Sequence, residues 1–171
     1  MERAAFRFVG VDPGSHQSWR SYSRAVIVFS AAGVLLLTAI LLLNNVLPLH
    51  FDSTGMPFAG ALNTAISFVT NTNWQWYSPE ATLGYTAQAL GLTVQNFLSA
   101  AVGIAVAFAL ARAFAAHKSD ALGNFWVDIT RITLWLLLSA LFWIAGGLAS
   151  PEWRWGLWAP AIGIEYASMF A

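Results

Sequence analysis

From Ala25 to Leu43 the chain runs nineteen residues without an ionisable side chain, and Thr86 to Ala111 repeats that condition over twenty-six. A helix rises ~1.5 Å per residue, so the two runs reach about 28 Å and about 39 Å. The hydrocarbon core of a bilayer is about 30 Å thick. Inside it no water satisfies backbone N–H and C=O groups, so a lone crossing segment has to be a helix. The two runs predict spanning helices over 25–43 and 86–111. Asn44, Asn45 and Pro48 end the first. Composition agrees: 58% of residues are hydrophobic and 9% charged, where a soluble domain carries about 25% charged residues. Nine Trp and twelve Phe suit two interfacial belts.

Between the two runs lies a segment that cannot cross. Pro57 to Val69 has helical character, with Pro57 suited to a first turn, but it covers at most about two-thirds of the core. It leads into Ser67–Tyr77, SFVTNTNWQWY, which is polar at its centre, aromatic at its end and free of ionisable groups. The segment 70–85 then carries turn residues back to the surface it left. The order predicts a re-entrant half-helix over 57–69 and a loop over 69–75.

A third apolar run, 132–148, is just long enough to span. The chain thus reads as an all-α membrane protein: a polar segment 1–24, a helix–re-entrant loop–helix repeat over 25–117, a loop and third transmembrane helix over 118–148, and an atypical, Trp-rich tail over 149–171. The opening MERAAFRFVGVDPG has no apolar core of the kind a signal peptide needs. Arg3, Arg7, Arg20 and Arg24 lie at the start, and Arg112, Lys118 and Arg131 in the later connection, whereas 44–85 has no Lys or Arg. The positive-inside rule puts the first two regions in the cytoplasm and the loop outside. Asp52 and Glu80 would mildly attract cations there.

Several classes are disfavoured. Net charge is zero and no basic patch is present, so nucleic acid is not an expected partner. Cysteine is absent, which removes disulfides and thiolate metal sites. His16, His50 and His117 are dispersed in polar segments and read as surface residues. Asp120 and Asp128 read as solvated, or paired with Lys118 and Arg131. No Ser/His/Asp set, HExxH or P-loop is found, so catalysis within the chain is not expected.

The loop has a specific chemical capacity. A dehydrated cation needs oxygens in place of its lost water, and carbonyls supply them without fixed charge, so the ion can leave again. Thr70, Asn71, Thr72 and Asn73 offer successive carbonyls, and Asn tolerates the left-handed region that would help them point one way. The half-helix would aim its partly negative C-terminus at the same place. Asn and Thr between membrane helices also form ordinary turns; it is the surrounding order that favours an ion site. Gln95 and Asn96 read as helix–helix hydrogen bonding more than as pore lining. Ser99, Gly103 and Ala107, spaced i, i+4 and i+8, make a small-residue stripe for helix packing.

LNTAISFVTNTNWQWYS, then LTVQNFLSAAVGIAVAFALARAF and LGNFWVDITRITLW, closely resemble the potassium-binding subunit of bacterial Kdp potassium-transporting ATPases, over about Glu2 to Leu138. The resemblance implies one unit of a fold built from four fused helix–loop–helix repeats. It implies potassium as the ion, bound by the carbonyls of Val69, Thr70, Asn71, Thr72 and Asn73, with Gln75 at the filter mouth. It implies a bacterial inner-membrane complex in which ATP binds a P-type ATPase catalytic subunit, with a third accessory subunit and a small membrane peptide as further partners. No organic cofactor is expected in this chain. By that resemblance the chain holds the first repeat and the opening helix of the second, without the second filter or the last two repeats, so two other readings stay open: a non-conducting, truncated membrane protein that packs through the Ser99 stripe, and a channel assembled from four copies.

Overall fold

In a computed structural model, residues 6, 10–115 and 122–137 are described, and every extended element among them is a helix. The chain divides into two units, 1–133 and 134–171. The loop 69–75 and the helices that position it belong to the first. The expected third span beyond residue 137, the tail 149–171 and the start of the polar segment lie outside the described residues.

Helix α1 spans Trp19–Leu42. It starts before the charge-free run because Ser18 caps it, its Oγ accepting the Ser21 N–H at 3.4 Å. Arg20 and Arg24 therefore ride on its first turns. After a 3-10 turn, Asn44–Val46, the chain loops to α2, Phe58–Val69, with Pro57 just outside as its cap. A short turn of helix, α3, covers Pro79–Thr82. A π-helical stretch, Ala87–Thr93, feeds α4, Val94–Ala115; its wide turns carry the bond from Thr93 Oγ1 to Gln88 O at 3.1 Å. Helix α5, Phe125–Arg131, comes next, capped by Asn124, whose Oδ1 accepts from Trp126 N–H at 3.0 Å.

Two helices are long and apolar enough to cross a membrane, Trp19–Leu42 and Ala87–Ala115. The core lies between α1, α2 and the π-helical stretch: Leu37, Leu41, Ala61, Ala65, Phe68 and Leu92 are all buried there. Ala61 and Ala65 are fully enclosed, and with Gly60 they let the half-helix sit close on α1.

Each end of the first unit is tied by polar bonds. At one end Asn44, 1% exposed, gives its Nδ2 to Asn45 Oδ1 and Ser53 Oγ, both at 2.9 Å, and accepts Gly84 N–H at 2.7 Å. Backbone bonds from Thr54 to Ala81, Gly55 to Thr82 and Tyr85 to Leu49 close the same loops. Gly84 is required there: a Cβ would run into the backbone of His50. At the other end Gln17 pairs with Gly123 and Leu122 through backbone bonds of 2.7 and 3.1 Å. Phe125 is fully buried, edge-on to Tyr22 and Phe29 with centroids 5.6 Å away. Asp128 is ion-paired with Arg112 and accepts the Tyr22 hydroxyl at 3.0 Å.

Candidate functional site: a re-entrant loop with free carbonyls

Helix α2 is 12 residues long, about 18 Å, and it stops because the chain turns left-handed. Asn71 has φ 59°. Its N–H donates to Phe68 O at 3.2 Å and the next N–H, from Thr72, to Ser67 O at 2.9 Å. These bonds make a Schellman cap with Asn in the position that Gly usually holds. An ordinary cap needs a single left-handed residue. Here Asn73 is left-handed as well, at φ 57°, and its N–H also returns to Ser67 O, at 3.2 Å. Thr70, the helix's C-cap at φ −84°, and Thr72, which is absent from the positive-φ residues, alternate with the two asparagines.

The consequence is an asymmetric backbone. The amides of residues 70–73 all turn back onto the last turn of α2. Among the described residues, no hydrogen bond ends on the carbonyl of Val69, Thr70, Asn71, Thr72 or Asn73. Residues 70–73 are exposed on the surface of this chain. One wall of a binding site has that form: donors spent on the protein, acceptors left unpaired.

The loop lies at mid-height. A Cβ built on Gly33 would be 3.4 Å from Val69 Cγ2 and 3.3 Å from Gln95 Oε1, so the end of α2 is level with Gly33, about 21 Å along an α1 about 36 Å long. Ser99, near the middle of the second long apolar helix, donates to Asn71 Oδ1 at 3.2 Å. The chain then climbs back along α2: a Cβ on Gly60 would touch Trp76 Cζ2 at 3.0 Å. Trp76 and Tyr77 stack edge-on at 5.7 Å, and Gln75 Nε2 donates to Tyr77 Oη at 3.3 Å. Beyond, a cleft of about 340 Å³ is lined by His50, Asp52, Glu80 and Gln88 among others. The Ser78 hydroxyl, donating to Glu80 at 2.7 Å, holds that carboxyl below the usual carboxylate range.

The small-residue stripe divides. Ser99 is buried and bonded to the loop, whereas a Cβ on Gly103 would meet no other element within 4 Å and Ala107 is exposed. Within this chain α4 buries Ala101, Ala105 and Ala109 instead. Gln95 is buried yet makes no side-chain hydrogen bond among the described residues, so the helix–helix bond expected of it is not formed here. The ion pair that Asp128 makes is with Arg112. The sequence marks Ser67 only as the start of the polar stretch; its bonds to Trp74 arise once the chain has turned back on α2.

Helices of bilayer length, enclosing a half-length helix that turns back at mid-height, define an all-α membrane protein with a re-entrant loop. The family model described as "Potassium-transporting ATPase A subunit" matches residues 1–150. Curated relatives carry the name "Potassium-transporting ATPase potassium-binding subunit". One from Burkholderia pseudomallei is 54% identical over 151 residues, covering 88% of this chain and 25% of the relative. One from Clavibacter sepedonicus is 53% identical, covering 86% and 27%, and one from Pseudomonas aeruginosa 53%, covering 81% and 25%. The chain belongs to the KdpA family, the A subunits of potassium-transporting ATPases. It spans about a quarter of the length of the relatives it matches.

Proposed function

We propose that this chain supplies one wall of a potassium site in an ATP-driven potassium uptake complex. The ion is held by the carbonyls of Val69, Thr70, Asn71, Thr72 and Asn73, with Gln75 at the mouth. One observation carries the reading: those five carbonyls accept no hydrogen bond among the described residues, while the amides beside them are turned inward. A carbonyl unpaired in a membrane protein is costly unless something satisfies it. A cation passing through does so, and the partly negative end of α2 adds to the attraction. One chain covers one side of an ion, so the site is completed by further chain or by other subunits.

The relatives' names point to a multi-subunit ATPase. In this reading a P-type ATPase catalytic subunit binds ATP, and an accessory subunit and a small membrane peptide are also partners. The complex lies in the bacterial inner membrane, with the N-terminus cytoplasmic and the loop outside, following the distribution of Arg and Lys. Asp52 and Glu80, on the cleft beyond the loop, then face the side from which potassium arrives.

The test is a graft. Residues 1–150 replace the matching quarter of the Burkholderia pseudomallei subunit, in a strain with no other potassium uptake. Gln75→Arg in the graft is expected to raise the apparent KM for potassium at least about tenfold by placing a cation at the mouth. An unchanged KM overturns the reading. A second reading, a non-conducting packing partner, is favoured by the open face at Gly103 and Ala107. It requires that Gly103→Leu abolish association with a partner helix while Gln75→Arg changes nothing.

A further inference from the structure

The geometry points to Ser67 as the residue that positions the ion-binding loop. The inference rests on the proposed potassium site and adds a residue that does not itself face the ion. Ser67 lies on the last turns of α2 and is 9% exposed. Its Oγ accepts the Trp74 N–H at 2.7 Å and donates to the Trp74 carbonyl at 3.0 Å. Its own carbonyl accepts the N–H of Thr72 at 2.9 Å, the N–H of Asn73 at 3.2 Å and Oγ1 of Thr70 at 3.2 Å. Five bonds from four loop residues thus converge on one serine.

The two halves of Ser67 do different work. The backbone carbonyl would be present whatever the side chain, and its bonds to 72 and 73 belong to the turn that ends α2. The hydroxyl is particular to Ser or Thr. It takes both polar groups of one peptide residue, so Trp74 is fixed in distance and in rotation. Trp74 follows directly after the last of the free carbonyls. Anchoring it at the helix end closes residues 68–73 into a loop of fixed span, and the carbonyls at 69–73 have nowhere to swing. Of the other hydroxyls here, Ser99 touches the loop through the Asn71 side chain, its other bond going to Asn96 O on its own helix, while Thr70 bonds to Thr72 at 3.1 Å and back to the carbonyls of Ile66 and Ser67.

Ordering carbonyls before the ion arrives matters for selectivity more than for throughput. A loosened loop still offers oxygens but no longer holds the spacing that separates potassium from sodium. Loss of the two hydroxyl bonds is expected to raise the potassium KM about tenfold and to lower potassium-over-sodium preference by a similar factor. The maximal rate should stay within about twofold, since no group in the transport path after the loop has changed.

The experiment uses the same graft in its complex, with Ser67→Ala, Ser67→Cys and Ser67→Thr. Amide hydrogen exchange on the intact 171-residue chain in nanodiscs is measured in parallel. Ala and Cys are expected to raise KM, lower selectivity and speed exchange at Trp74, with α1 amides unchanged. Thr keeps the hydroxyl and is expected to restore all three. Should the Ala variant fail to fold, the Cys variant, near in volume and a poor hydrogen-bond partner, carries the test. If Ala and Cys leave KM and selectivity unchanged while Gln75→Arg shifts KM, Ser67 does not position the loop and the ion-site reading stands. If Gln75→Arg is silent too, it is the reading itself that has failed.

Discussion

At the residue scale, the loop is set by where the backbone can be left-handed. Asn71 and Asn73 both have φ near 60°, a region Asn enters more readily than most side chains and β-branched ones hardly at all. Asn73 makes no side-chain hydrogen bond among the described residues, so its conformation can be tested by itself. Asn73→Gly should leave unfolding in detergent unchanged. Asn73→Val should cost about 1–2 kcal/mol, read as a lower midpoint in the same denaturant series. Equal midpoints would mean that the left-handed turn is not held in the folded protein. Both asparagines were legible in the sequence as loop residues. Ser67 was not, because its bonds to 72, 73 and 74 exist only once the chain has turned back on the helix.

At the scale of elements, the half-helix is held by shape more than by polar bonds. Ala61 and Ala65 are fully enclosed against α1, near Leu37 and Leu41. A 12-residue helix has little stability alone, so its depth depends on that close fit. Ala65→Leu should overpack the seam and cost about 1–3 kcal/mol. It should also move Val69 away from Gly33, and a cross-link between cysteines placed at 33 and 69 would then form more slowly than in the parent pair. An unaltered cross-linking rate would show that the seam does not set the depth. The length and apolar character of α1, α2 and α4 could be read directly, since they follow from local composition. The π-helical entry into α4 could not, because no local residue pattern separates it from an α-helix. The small stripe on α4 shows the same limit. Spacing put Ser99, Gly103 and Ala107 on one face, but which small residues are covered depends on where α1 and α2 lie.

Over the whole of residues 1–133, the two ends are secured by groups far apart in sequence. Asn44 holds Gly84, forty residues on, and Tyr22 meets Asp128, 106 residues on. Asp128 faces Arg112 and Tyr22 together and is largely buried. Asp128→Ala should lower stability by about 1–3 kcal/mol, since it strands the partly buried Arg112 and one bond of Tyr22. Asp128→Asn, which keeps an acceptor, should lose less. The check is the thermal midpoint of both variants in one detergent; equal losses would show that charge alone matters there. Gly123 belongs to the same arrangement, because a Cβ on it would lie 3.0 Å from the Arg112 guanidinium.

Two charge-free runs long enough to cross a membrane, a shorter apolar segment between them, and the uncharged polar backbone after it could all be read from the sequence. Each is a matter of how many consecutive residues tolerate hydrocarbon, and such runs are local. Which way the loop's amides face, which serine holds it and how the two ends are tied came only with the folded chain. Those outcomes depend on hydrogen-bond partners that meet after the helices pack, and no run of neighbouring residues encodes that meeting.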